Sequence, residues 1–170
     1  HYGHELENML YLIAGKGHSH YDQDSGSVTI WGKGQIISDE FGYYGYAPPD
    51  DHSMLDSPLA RGRDLMLVES FETDDLVDYV RGAKKQWTRR IQHVKHPSPA
   101  GPNYYVIHDS LQTKGPADWR MWFTADAVEH DGGNLTVRGI DGVDADVHIA
   151  ALPTGADVTT DTITRGTTGL

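Results

Sequence analysis

The segment SVTIWGKGQIISD, residues 27–39, carries the clearest strand–turn–strand pattern in the chain. Two apolar runs, at 28–30 and 35–37, flank the turn sequence Gly-Lys-Gly at 32–34. A glycine-containing turn between two runs rich in β-branched residues is typical of a β-hairpin. The hairpin would carry Asp39, at the end of its second strand, back beside the residues that precede its first strand.

The rest of the chain repeats this pattern of short apolar runs separated by Gly, Pro, Asp and Asn. Candidate strands lie at residues 9–14, 27–31, 35–38, 64–71, 77–81, 87–94, 104–111, 120–124, 127–130, 134–139 and 147–152. No segment is long and periodic enough to predict a helix. Many short strands with turn residues between them indicate an all-β fold, and we expect an antiparallel β-sandwich.

Four potential metal ligands surround the predicted hairpin: His18, His20, Asp39 and His52. His18 and His20 are two residues apart, so in an extended strand both rings project from one face, and a metal could use either. Asp39 returns along the hairpin and His52 follows from the next loop. Two histidines and one carboxylate are typical of zinc sites that keep an open position. We therefore predict a divalent metal, zinc, held by His20, Asp39 and His52, with His18 left over.

Size and charge limit the functional classes. The chain has 170 residues, no cysteine and a formal charge of −11, with a pI near 5.2. Such acidity argues against nucleic-acid binding, which depends on a basic surface. No apolar run approaches the roughly 20 residues of a membrane-spanning helix. We expect one domain over residues 1–153, followed by a loosely packed Thr-, Gly- and Asp-rich tail at 154–170.

Several segments together resemble the heparinase II/III-like family of polysaccharide lyases, including its alginate-lyase relatives. The hairpin region contributes HSHYDQDS at 18–25, Ile-Ile-Ser-Asp at 36–39, Gly-Tyr at 42–43 and His-Ser at 52–53. Further matching segments follow in the family's order: Arg-Gly at 81–82, WTRR at 87–90, YYVIHDSL at 104–111 and DWRMW at 118–122. The resemblance covers roughly residues 6–152.

This resemblance implies a supersandwich-like β-sandwich that helps to cleave uronic-acid-containing glycans by β-elimination. It assigns His18 to the substrate and His20 to the metal, whose role would be chiefly structural. Tyr43 and Tyr46 lie between two predicted ligands and are candidate catalytic acids or bases. Tyr43 fits the family's Asp-x-Gly-Tyr pattern best, although Glu40-Phe41 adds one residue between Asp39 and the glycine.

The resemblance also implies partners. Members of the family carry an N-terminal α/α toroid that supplies further catalytic residues and half of the substrate groove, and no such helical pattern occurs here. We expect the chain to be the sandwich part of a longer, secreted or periplasmic enzyme, inactive or weakly active alone. An anionic polysaccharide would have to bind through local cations of this acidic chain, such as Arg61, Arg63, Lys84, Lys85, Arg89 and Arg90, or through another domain.

Two other classes fit parts of the pattern. A cupin-type metalloenzyme would bind its metal with both His18 and His20 and would have a Glu where Asp24 stands. It would leave the segments at 87–90 and 104–111 unexplained. A non-catalytic carbohydrate-binding sandwich would use the metal only to fix a loop, and partner-dependent activity separates it from a lyase.

Overall fold

A computed structural model describes residues 7–15, 24–39, 53, 55–56, 65–98, 100–112 and 115–162 of the protein. Strands make up about 52% of this part of the chain, more than twice the usual share of soluble domains. Within these ranges there is no helix, and so none long and apolar enough to cross a membrane. The predicted all-β fold of antiparallel sheets is confirmed.

The chain divides into two compact units, residues 1–124 and 125–170. The first unit contains nine strands in the described ranges, arranged as a four-stranded, a three-stranded and a two-stranded sheet. The second unit contains one three-stranded sheet. The domain limits expected from the sequence, 1–153 and 154–170, stay a prediction.

The four-stranded sheet of the first unit is a continuous antiparallel meander, β5-β6-β7-β8. Its strands are β5 (Leu67–Thr73), β6 (Val77–Lys84), β7 (Trp87–Val94) and β8 (Tyr104–Leu111). The β5–β6 turn is fixed by Asp74, whose carboxylate accepts hydrogen bonds from the backbone N–H groups of Leu76 and Val77 at 2.7 Å. These bonds lower the pKa of Asp74, because they favour its charged form.

The three-stranded sheet, β1-β2-β3, contains the hairpin predicted from the sequence. It is formed by β1 (Met9–Leu12), β2 (Val28–Gly32) and β3 (Gln35–Ser38). Lys33 and Gly34 occupy the turn with φ angles of 52° and 78°. Positive φ at both central residues is the signature of a type I′ turn, which suits the twist of a two-residue hairpin. The Gly-Lys-Gly turn is therefore confirmed.

One apolar core joins the two larger sheets of this unit. Its buried centre is Trp87, Met66 and Leu55, of which Trp87 and Met66 are fully inaccessible. Leu12, from the three-stranded sheet, and Leu111, from the four-stranded sheet, pack against that centre. Side chains from two sheets meeting in one core is the arrangement of a β-sandwich, in keeping with the predicted fold.

The strand predicted at 120–124 is wrong. The structure instead pairs two short strands, β4 (Leu55–Asp56) and β9 (Asp118–Trp119). Beyond β9 the backbone donors bond to separate segments, since Trp122 N–H reaches Ser53 Oγ and Thr124 N–H reaches the Ile37 carbonyl, both at 3.0 Å. Isolated bonds of this kind replace the ladder that a strand would form.

The second unit is a meander of β10 (Ala125–Asp131), β11 (Asn134–Gly139) and β12 (Ala145–His148). Gly132 and Gly142 lie in the connections between these strands, with φ angles of 56° and 75°. Val137, at the middle of β11, is buried. From 154 to 162 the chain has no regular secondary structure.

Candidate functional site

Of the six predicted site residues, Asp39 is described, directly after β3 and half-buried. The other five lie outside the described residues: His18, His20, Tyr43, Tyr46 and His52. Within the described ranges no group of three or more His, Cys, Asp or Glu side chains is placed to hold a metal. The predicted zinc site, two of whose three ligands fall outside those ranges, stays a prediction.

Two serines that adjoin predicted ligands in the sequence are hydrogen-bonded to each other. Ser38 precedes Asp39 and Ser53 follows His52, and their hydroxyl oxygens lie 3.1 Å apart. Both side chains are buried, at 0% and 1% exposure. A buried hydroxyl needs such a partner, because an unpaired one costs about 1–3 kcal/mol. The end of β3 and the segment around Ser53 are therefore held together inside the unit.

Ser53 also fixes the start of β2. Its carbonyl accepts the backbone N–H of Val28 at 3.0 Å, and its Oγ accepts the N–H of Trp122 at 3.0 Å. In the hairpin, Ile30 of β2 pairs with Ser38 of β3. The start of β2, the end of β3 and Ser53 thus lie at one end of the three-stranded sheet, as the hairpin prediction requires for Asp39.

The turn before β2 is anchored by polar bonds on both sides. Ser27 N–H donates to the Asp24 carbonyl at 2.8 Å, and Gly26 N–H donates to the Ile13 carbonyl at 2.8 Å. Ser25 Oγ accepts the backbone N–H of Met66 at 2.7 Å. This turn begins two residues after Asp22, the acidic residue of the sequence HSHYD at 18–22. The chain directly after that sequence is therefore held in place by hydrogen bonds.

A buried arginine holds this turn against the four-stranded sheet. Arg89 of β7 is fully inaccessible and forms a bidentate ion pair with Asp109 of β8, with N–O distances of 2.8 and 2.7 Å. Its third nitrogen, Nη1, donates to the Gly26 carbonyl at 2.5 Å. The guanidinium also lies 4.9 Å from the ring centroid of Trp87, within range of a cation–π contact.

Asp109 is satisfied on both oxygens by this network. Besides Arg89, its carboxylate accepts the indole N–H of Trp87 at 2.8 Å and that of Trp119 at 3.0 Å. Breaking a buried ion pair by removing one partner typically costs about 3–5 kcal/mol, because the other charge is left uncompensated. The network is therefore structural. It holds the turn at 24–27, which follows the HSHYD sequence, against the four-stranded sheet.

The structure corrects part of the expectation for substrate-binding cations. Arg89 is internal, and Lys84 is 2% exposed, so neither can reach a bound polymer in this fold. The sequence carried a signal for Arg89: it shares a strand face with Trp87 and Ile91, both of which are buried. Arg61 and Arg63 lie outside the described residues.

Lys84 is an unusual core residue. Its Nζ is buried and makes no hydrogen bond to a described residue. Burial lowers the pKa of Lys84, and the negative charge of Asp24 acts in the opposite direction. Desolvation disfavours the charged form of an amine, which is why the pKa falls. Lys84 is thus a titratable core amine whose charge interacts with that of Asp24, at the start of the anchored turn.

A second titratable cluster lies across the far end of the same sheet face. Asp78 of β6 accepts hydrogen bonds from Thr73 Oγ1 at 2.5 Å and pairs with Lys95 Nζ at 2.6 Å. His93 Nδ1 lies 3.3 Å from the other oxygen of Asp78, and its ring stacks on Tyr105 with centroids 4.6 Å apart. Sequence reasoning missed this cluster, because it depends on the β6–β7–β8 register.

The electrostatics of this cluster follow from its bonds. Burial raises the pKa of Asp78, but hydrogen bonds from Lys95, Thr73 and His93 outweigh it, and the net shift is downward. Burial raises the pKa of the Tyr105 hydroxyl far above its usual value, so that group stays neutral. The atoms Tyr105 Oη and His93 Nε2 are buried and have no hydrogen-bond partner among the described residues.

None of the family models, curated proteins or solved structures with which the protein was compared matches it.

Proposed function

We propose that the chain is the β-sandwich part of a polysaccharide lyase that cleaves uronic-acid-containing glycans by β-elimination. The observation that carries the proposal is the Ser38–Ser53 hydrogen bond, 3.1 Å long and buried. It supports the expectation that Asp39 and His52 serve one ion, because each is the direct chain neighbour of one of these serines.

The proposed metal is held by His20, Asp39 and His52. Imidazole and carboxylate donors in this ratio suit a divalent ion such as zinc. When bound, the ion supplies structure by fixing the loop that presents His18 and the tyrosines. The anchored turn at 24–27 and the Arg89–Asp109 pair behind it support this role, since a positioned site needs rigid supporting contacts.

The proposed chemistry uses residues of this chain at defined steps. β-Elimination removes the proton at C5 of a uronate and then breaks the bond between C4 and the leaving oxygen. The C5 proton becomes acidic only when the neighbouring carboxylate is neutralised, a role proposed for His18. Tyr43 and Tyr46 are the candidates to take that proton and to donate one to the leaving oxygen.

The activity test is the absorbance of unsaturated uronate released from alginate, heparan and related polymers by the complete enzyme. His18→Ala should retain its fold and metal but lose roughly a hundred- to ten-thousand-fold in turnover, the contribution of a positioned acid or base. His130→Ala removes an exposed histidine of β10 and is the matched control, with turnover unchanged. Full activity of His18→Ala would remove His18 from the mechanism.

The metal test is independent of turnover. Elemental analysis of the purified protein should find one divalent ion per chain, lost in His52→Ala and retained in His130→Ala. His18→Ala separates the lyase from a cupin, because a cupin would lose its metal with His18. A protein that keeps its metal and binds glycans but yields no unsaturated product on any uronate polymer would be a carbohydrate-binding module instead.

A further inference from the structure

The four-stranded sheet has a second face, opposite to the core, on which two arginines and a histidine stand in line. Arg81 of β6 pairs in register with Arg90 of β7, and Arg90 pairs in register with His108 of β8. Neighbouring strands lie about 4.8 Å apart. The three side chains therefore form one row across three strands, named here the Arg81–Arg90–His108 row.

Among the described residues, the middle and far end of this row have no acidic partner. Arg90 Nη1 donates to His108 Nδ1 at 3.3 Å and to Ser110 Oγ at 3.4 Å. Arg81 forms an ion pair with Glu69, with both side chains partly exposed at 35% and 42%. Within the part of the chain that the structure describes, no carboxylate forms an ion pair with Arg90 or His108.

Stability does not account for the row. Like charges directly opposite on neighbouring strands are destabilising, and this chain has 25 acidic side chains against 14 Lys and Arg. An arginine on the surface of so acidic a protein has many acidic positions it could face. The alignment of Arg81 with Arg90 concentrates positive charge on one small area, and such an area complements an anion.

We propose that the Arg81–Arg90–His108 row binds the anionic groups, carboxylate or sulfate, of a polysaccharide. Guanidinium groups bind pairs of oxygens on an oxyanion through paired N–H donors. The next row on the same face contains Tyr79 and Gln92 in register, which offer hydrogen bonds to sugar hydroxyls. The choice of a glycan rests on the proposed function, whereas the arrangement of the row does not.

The charge of the whole chain favours a glycan over a nucleic acid. At −11 the protein repels a polymer with a phosphate on every residue, whose binding depends on neutralising many charges. A uronate or sulfated glycan also carries neutral hydroxyls on its sugars, which Tyr79 and Gln92, in the next row of the same face, can bind. The row faces away from the side of the sheet on which Gly26 binds Arg89, so it would hold the polymer as an anchor.

The test measures binding of the intact chain to alginate, to a sulfated glycan and to a neutral glucan at low ionic strength, by isothermal titration calorimetry. Arg90→Gln should weaken binding to the anionic glycan by about tenfold or more, as loss of a charge-assisted bond predicts. Glu69→Gln should tighten binding about threefold, because it releases Arg81. Alginate and the sulfated glycan distinguish carboxylate from sulfate as the bound group.

Matched controls place the same charge changes elsewhere. Arg138→Gln and Glu129→Gln alter exposed residues of the second unit and should change the Kd less than twofold. Equal loss in Arg90→Gln and Arg138→Gln, weaker binding in Glu69→Gln, or equal affinity for the neutral glucan would overturn the proposal. So would an oligonucleotide that binds the row more tightly than either anionic glycan.

The two proposals fail separately. Arg90-dependent glycan binding without unsaturated product contradicts the lyase and leaves the row standing. Unsaturated product from an enzyme whose glycan affinity is unaffected by Arg90→Gln contradicts the row and leaves the lyase standing. His18→Ala should leave binding at the row unchanged, since it acts on turnover.

Discussion

Arg89 and Arg90 are consecutive residues of β7 and occupy opposite environments. Arg89 is fully inaccessible, with its guanidinium shared between Asp109 and the Gly26 carbonyl. Arg90 points to the other face, where its bonded neighbours are His108 and Ser110. Alternation along a strand is enough to separate them. For these two arginines, the face of the strand decides whether the charge stabilises the fold or stays accessible to a ligand.

The largest expected effect tests the inner face of the sheet, the side on which Arg89 is buried. Asp109→Ala leaves Arg89 buried without its counter-charge and removes the acceptor of two indole N–H groups. The free energy of unfolding should fall by about 3–5 kcal/mol, measured by urea denaturation. Its control is Asp144→Ala, which breaks the exposed Arg138–Asp144 pair and should cost less than about 1 kcal/mol.

Urea denaturation of a variant at Arg90, on the outer face of the sheet, tests the other half of the comparison. Arg90→Ala should change the free energy of unfolding by no more than about 0.5 kcal/mol, as for a surface substitution. A loss similar to that of Asp109→Ala would mean that Arg90 is part of the structural network. The distinction between a structural and an accessible arginine would then be wrong.

Much of the fold followed from local chemistry. The strands at 35–38, 87–94, 104–111 and 134–139 have the predicted bounds, because alternating side chains and turn residues are recorded in the sequence itself. The pair β4–β9 and the irregular chain at 120–124 were missed. These segments are shaped by single bonds to distant residues such as Ser53 and Ile37, which no local pattern reveals.

The candidate site was less accessible to sequence reasoning. The hairpin and the position of Asp39 after β3 are confirmed, but the ion pair between Arg89 and Asp109 was not foreseen. We expected Arg89 to meet substrate. The two side chains meet because β7 and β8 pair in a register that sets them directly opposite. Register between strands is a tertiary property, and it decides which charges become partners.

A glycine substitution tests how closely the anchored turn packs on the inner face. Gly26 has a φ of 103°, and a Cβ there would overlap the ring of Trp87. Gly26→Ala should lower the free energy of unfolding by about 2–3 kcal/mol, through backbone strain and overpacking. Gly142 has a φ of 75° and open space around it, so Gly142→Ala isolates the strain, at about 1 kcal/mol. Equal losses would show that the turn does not press on Trp87.

A smaller effect than that of Gly26→Ala is expected for the second buried cation of the inner face, Lys84. Unlike Arg89, it lacks a hydrogen bond to a described residue, and burial lowers its pKa. Replacing a poorly compensated buried charge by an apolar side chain of similar length is often stabilising. Lys84→Met should therefore raise the free energy of unfolding at pH 7 by about 1 kcal/mol. That gain would distinguish Lys84, which has no hydrogen-bond partner among the described residues, from Arg89, which is paired with Asp109.

The pH dependence of that gain identifies its cause. Because the folded protein holds the Lys84 proton less tightly, the unfolded chain binds more protons between the lowered pKa and the usual lysine value near 10.4. The stability of the unmodified protein then rises with pH through that window, and the advantage of Lys84→Met shrinks. The raised pKa of Tyr105 acts in the opposite direction above about pH 10, but it is common to both proteins and cancels in their difference.

Urea denaturation of both proteins from pH 7 to 10 measures this difference. An advantage that stays constant with pH would assign the effect to packing, and a loss of stability in Lys84→Met would show that the amine is bonded in the core.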